Sequence, residues 1–137
     1  MKFLLDTNVL SEPLRASPDP RVVTRMREHA ADLATATIVW HELVFGTAAL
    51  PPGKRRRAYE HYLDQVVARN IPILAYDVAA ATWHAHERAR LASAGVSLPF
   101  VDGQIAAIAA VNGLTLVTAN ARDFAKCRDL RLADWSA

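Results

Sequence analysis

Four carboxylates are spread along the chain at Asp6, Glu42, Asp102 and Asp123, each beside an apolar run that must be buried. Asp6 follows the run Met1-Lys2-Phe3-Leu4-Leu5 and precedes Thr7-Asn8, so it stands at the carboxyl end of a short buried strand. In an open parallel sheet, ligands bind beyond that end of the strands. If the four acids converge, their repulsion dominates the site: two like charges ~4 Å apart cost about 4 kcal/mol at an effective dielectric of 20. Either protons or a divalent cation must hold them together. Oxygen ligands without His or Cys favour the hard ions Mg²⁺ or Mn²⁺ over zinc.

Each acid also has a simpler use. Asp6 can cap a helical turn over Thr7-Asn8-Val9-Leu10. Glu42 shares its helix azimuth with Ile38, Val39 and Phe45, where an ionised group needs either a basic partner or a metal. Asp102 tops the stripe Ile105, Ala106, Ala109 in the first turn of its helix, where the macrodipole favours negative charge. Asn120 and Asp123 together can form a reciprocal cap after the strand ending at Val117. His41 adjoins Glu42 on another helix face and is given no chemical role. His61, His84 and His86 are assigned to packing or surface.

The elements that position these groups follow from pattern and punctuation. Pro20 opens a helix to about Ala31, and Leu33–Ala36 reads as a second strand. Thr37 caps a helix from Ile38 to about Leu50, stopped by Pro51-Pro52-Gly53. A long helix covers Lys54 to Arg69. Ile71–Ala75 is a third strand, and Pro72 suggests an irregular or edge position for it. Asp77 starts a helix that Gly95 ends near Ala94, and Phe100–Val111 is a further helix. Leu114–Val117 and Arg131–Ala133 complete the strands. Short strands alternating with helices predict an α/β fold around a mostly parallel sheet.

The 137 residues suit a single domain spanning 1–137, with a hydrophobic content of 52%. A net charge of +2 permits a polyanionic partner without demanding one. Cys127 alone excludes an intrachain disulfide or cysteine-rich zinc site. No signal peptide or ~20-residue apolar span is read in the chain, so a cytoplasmic location is expected.

Taken together, Asp6-Thr7-Asn8, Trp40-His41-Glu42-Leu43, Phe100-Val101-Asp102-Gly103-Gln104-Ile105-Ala106-Ala107 and Leu116-Val117-Thr118-Ala119-Asn120-Ala121-Arg122-Asp123-Phe124 resemble the signatures of PIN-domain ribonucleases, in particular VapC- and FitB-like toxins of toxin–antitoxin pairs. The resemblance spans nearly the whole chain. It implies a three-layer α/β/α sandwich and a Mg²⁺- or Mn²⁺-dependent endoribonuclease that hydrolyses RNA phosphodiester bonds. Asp6, Glu42 and Asp102 would occupy metal-binding positions, with Asp123 as a further acid. Asn120 falls where many members carry another Asp; its carbonyl can ligate but brings no charge. Thr7, Asn8 and Thr118 match polar positions that support the site through hydrogen bonds.

The resemblance further implies a VapB-like antitoxin lying over the pocket, an RNA substrate, and a homodimer. Val22, Val23 and Met26 are candidates for subunit contacts or for the core. The basic run Lys54-Arg55-Arg56-Arg57 either guides RNA phosphates, binds an acidic partner segment, or is a solvated helix face. Two other functions compete. One is a non-catalytic PIN-like module that binds RNA or protein. The other is a different Mg²⁺-dependent phosphohydrolase of the aspartyl-phosphate type, which usually has a second Asp two residues after the first, where this chain has Asn8.

Overall fold

Three short apolar segments form the centre of the sheet: β1 (Phe3–Leu5), β2 (Leu33–Ala36) and β4 (Thr115–Val117). Leu4, Leu5, Ala34, Ala36, Leu116 and Val117 have no exposure at all. Strands buried on both faces belong in parallel sheets covered by helices on either side. The computed structural model, which describes residues 1–137, has five parallel strands in the order β3-β2-β1-β4-β5. The outer strands are β3 (Ile73–Leu74) and β5 (Arg131–Ala133). Helices pack around the sheet in a three-layer α/β/α sandwich over a core of 25 buried residues.

The helices are α1 (Thr7–Leu10), α2 (Pro20–Glu28), α3 (Thr37–Ala48), α4 (Lys54–His61), α5 (Ala68–Asn70), α6 (Val78–Ser93), α7 (Phe100–Val111) and α8 (Ala121–Phe124). Their ends follow side-chain chemistry. The Asp19 carboxylate accepts from Arg21 N at 2.9 Å ahead of Pro20, and Asp77 accepts from Ala80 N at 2.9 Å. Gly95 stops α6 at φ 73, a left-handed conformation that costs glycine little. Pro72 precedes the edge strand β3, and its carbonyl accepts from Thr35 N at 2.9 Å.

Several expectations need correction. Thr37 is the first residue of α3, not its cap; Ala36 holds that place without a side-chain hydrogen bond. α2 ends at Glu28 and yields to a 3₁₀ turn over Ala30–Asp32. The long basic helix is interrupted by a π-helical stretch, Tyr62–Val67, where Tyr62 Oη donates to Leu10 O at 2.6 Å. Of the two uses read for the α2 residues, the core one holds: Val22 and Met26 are buried there, and Val23 is half-buried.

Chain order reverses across β1: β2 lies on one side of it and β4 on the other. The crevice beyond the carboxyl ends of β1 and β4 is therefore the switch point at which such sheets bind ligands. Asp6 N donates to Val117 O at 3.0 Å and Thr118 N to Ala133 O at 3.0 Å, fixing both residues at its mouth.

Candidate active site

Asp6 serves two structural ends at once. Its Oδ1 accepts from Thr7 N at 2.8 Å as the cap of α1, and its Oδ2 accepts from Thr118 Oγ1 at 2.8 Å. Thr118 is fully buried and Asp6 is 7% exposed. The capping reading was thus correct, and it leaves the carboxylate at the crevice. Thr118 Oγ1 also accepts from Asn120 N at 3.0 Å, which sets the turn after β4.

Thr7 reaches across to α3, where its Oγ1 donates to Glu42 Oε2 at 2.8 Å. The glutamate is neither salt-bridged nor lodged in an apolar wall. Val39 is buried, Ile38 is half-buried, and Phe45 is 68% exposed, so the stripe sharing its azimuth opens to solvent. Glu42 is half-buried at that boundary.

Asp102 projects from the first turn of α7, as the sequence suggested, and α7 packs against α3, α6 and β4. The Asp102 carboxyl is held above the usual carboxylate range, first by burial and then by the negative charges of Asp6, Asp123 and Glu42. Lys126 opposes this shift more weakly. Asp102 therefore lies within the electrostatic reach of the other three acids. As the side chains lie, however, no three acidic, histidine or cysteine groups are close enough to grip a common ion.

Asp123 is exposed in the first turn of α8, and its backbone N donates to Asn120 O at 2.9 Å. The reciprocal side-chain cap is absent: Asn120 makes no capping hydrogen bond and is exposed. Asn8 Oδ1 accepts from Ala119 N at 3.2 Å, so this side chain braces the β4–α8 turn instead of touching a carboxylate.

Of the packing and surface uses open to His84, the packing one holds, with partners that no local pattern marks. His84 is buried, its Nδ1 lies 2.8 Å from Tyr76 Oη, and its ring packs on Phe100 at 4.8 Å. Gly103 lies against it: a Cβ there would sit 2.2 Å from His84 Nε2. Glycine next to Asp102 therefore lets α7 approach α6 closely. Burial, then the Arg88 charge, lowers the His84 pKa. The model for the PIN domain matches residues 3–130.

The chain belongs to the PIN-domain family. A tRNA(fMet)-specific endonuclease VapC from Shigella flexneri is 33% identical over 136 residues, covering 99% of each protein. A chain in the crystal structure of FitAcB from Neisseria gonorrhoeae matches at 32% identity with a TM-score of 0.89, covering 97% of both chains. VapBC-5 from Mycobacterium tuberculosis, a member of the VapBC family of toxin-antitoxin systems, matches at 26% identity and a TM-score of 0.69 over 97% of this chain and 96% of that one.

Proposed function

We propose that this PIN-domain protein is a divalent-metal-dependent endoribonuclease, acting as the toxin of a toxin–antitoxin pair. One observation carries the chemical part: at the switch-point crevice, Asp102 is pushed toward protonation first by burial and then by the charges of Asp6, Asp123 and Glu42. A pocket of like charges with all-oxygen donors fits Mg²⁺ or Mn²⁺ in kind. Asp6, Glu42 and Asp102 would hold the ion, with Asp123 and the Asn120 carbonyl as further ligands. When bound, such an ion supplies charge neutralisation and Lewis acidity at a phosphodiester.

The chain's own residues prepare that event. Thr118 and Thr7 each spend a hydroxyl proton on a carboxylate, orienting Asp6 and Glu42 before any ligand arrives. With those oxygens committed, the remaining lone pairs of both acids are left for an ion. Asp102 must surrender its tendency to hold a proton when an ion binds, so binding should be weaker at acidic pH. The VapC relative, named for its endonuclease activity on tRNA(fMet), supports RNA as the substrate class.

The VapBC-5 neighbour, named for a family of toxin-antitoxin systems, supports an antitoxin partner; in this reading the antitoxin is VapB-like and covers the pocket, and the toxin pairs as a homodimer. Phe45 at 68% exposure and Val78 at 83% offer apolar surface for such contacts, in place of Val22 and Met26. No helix is long and apolar enough to cross a membrane.

The direct test incubates the purified chain with mixed structured RNAs in Mg²⁺ or Mn²⁺ and in EDTA, beside Asp6→Asn. Discrete products that require both metal and Asp6 are expected. No cleavage together with no metal binding by calorimetry would point to a non-catalytic binding module.

A further inference from the structure

The basic run Lys54–Arg57 is not one uniform positive face. Arg56 turns inward: its Nη1 donates to Leu50 O at 3.3 Å and its Nε lies 3.6 Å from Glu60. Arg55 forms no ion pair with a carboxylate, and its guanidinium lies over the Tyr59 ring at 5.6 Å from the centroid. Together they form one wall of a cleft of about 730 Å³, lined by Leu14, Arg15, Ala16, Ser17, Arg55 and Tyr59. Arg15 enters from the loop after α1, far away in sequence. Its side chain is 66% exposed and is steadied by the buried Glu12, whose oxygens lie 3.3 and 3.4 Å from Arg15 Nη1. No carboxylate lines this cleft.

The contrast with the neighbouring pocket on the same helix is instructive. There Arg56 is joined by Glu60 and Asp64, and the charges offset one another. The Arg15–Arg55 cleft has an aromatic ring, an Arg55 with no acid partner, and an Arg15 whose only acid partner is Glu12 behind the cleft wall. It is also tied to the acidic pocket. Tyr62, one helical turn beyond Tyr59, donates to Leu10 O at the end of α1, and Asp6 caps the other end of that helix. α1 has four residues, about 6 Å at about 1.5 Å per residue.

We propose that this cleft is a single-stranded RNA subsite, in which Arg15 and Arg55 bind phosphates and Tyr59 stacks on a base; this rests on the ribonuclease reading above. Guanidiniums paired with an aromatic ring form the sequence-tolerant platform used for single strands. An acidic peptide would use the cations but not the ring, so RNA is the better match.

The test measures anisotropy of a fluorescent 12-residue oligouridylate in EDTA over a salt series, with cleavage of structured RNA in Mg²⁺ measured in parallel. Arg55→Ala should weaken binding and reduce the slope of log K against log salt by about 0.7, one phosphate contact. Arg15→Gln should do the same, and Arg56→Ala should change the slope little. Tyr59→Leu should lose about ten-fold in affinity and Tyr59→Phe should restore it. Arg55 is on the surface, so its variant remains informative even if Arg15→Gln disturbs Glu12. If the wild type cuts RNA while the Arg55 and Tyr59 variants bind and cut like it, the subsite is wrong and the nuclease reading stands. A wild type that neither binds nor cuts any RNA overturns both. Variants that lose only an acidic protein partner overturn the subsite as well.

Discussion

On one flank of the acidic pocket, Asp6 and Glu42 are each held by a threonine hydroxyl, from Thr118 and Thr7, at 2.8 Å. On the other flank, Asp102 receives no hydrogen bond, and burial and three like charges raise its carboxyl pKa. The first pair is fixed by the protein before any ligand arrives. Asp102 keeps an unfavourable charge that only a proton or a cation relieves. The difference separates residues that build the site from the one on which an ion would act most strongly.

Amide substitutions probe this division most sharply. Asp6→Asn and Asp102→Asn should both lower metal-dependent RNA cleavage by more than the ~10–100-fold typical of losing an outer-shell partner. Their stabilities should diverge in EDTA. Asp102→Asn removes repulsion and should raise the melting temperature. Asp6→Asn replaces one accepting oxygen with an NH₂ group facing Thr118 or Thr7, leaving a buried group unpaired at about 1–3 kcal/mol. Differential scanning calorimetry distinguishes the two; a parallel rise in both variants would erase the proposed division.

Thr118→Val tests the fixed half without touching a carboxylate. It removes the donor to Asp6 Oδ2 and the acceptor for Asn120 N. Metal affinity measured by calorimetry should fall about 10–100-fold. Unchanged affinity would mean that Asp6 needs no orientation.

Gly103→Ala tests the other half through its support. With a Cβ 2.2 Å from His84 Nε2, α7 must move or His84 must leave Tyr76. Overpacking of this kind costs about 1–3 kcal/mol, read as a lower midpoint in urea. His84→Ala in the same chain should recover part of that loss.

The smallest effect is the pH dependence. The Asp102 carboxyl is raised relative to the unfolded chain, so its contribution to stability is full below the unfolded value and is lost as pH rises through the folded one. Glu87 runs the other way. Its hydrogen bond from Arg90 lowers its carboxyl, so its contribution is present at higher pH and is lost on acidification. Melting temperatures of the wild type minus Asp102→Asn in EDTA should therefore fall as pH rises across the carboxylate range. A flat difference would contradict the crowding of charges around Asp102.

Signals confined to a few adjacent residues were readable in advance. Asp77 and Gly95 marked the ends of α6, Pro72 marked an edge strand, and four short apolar runs marked parallel strands. The polar residues after β1 and β4 were identifiable as a group because strand ends meet at a switch point. What the sequence concealed depends on distant partners. Helical periodicity placed Glu42 among apolar neighbours, but the face carrying Phe45 has no layer above it. Tyr62 gives no local sign that it bonds Leu10, 52 residues away. Nothing beside it in sequence marks Glu12 as buried, yet it is 5% exposed and accepts from Asp19 N at 2.7 Å. Arg15 joins Arg55 only because the loop after α1 folds onto α4.

The central claim is that Asp6, Glu42 and Asp102 bind one divalent ion. Titrating Mn²⁺ into labelled protein while following side-chain carboxyl resonances by NMR tests it most directly. The account predicts that these three signals broaden first, and that Mg²⁺ brings the raised Asp102 carboxyl back down. Broadening that begins at Glu12, Asp19 and Asp134, or an Asp102 signal indifferent to Mg²⁺, would contradict it.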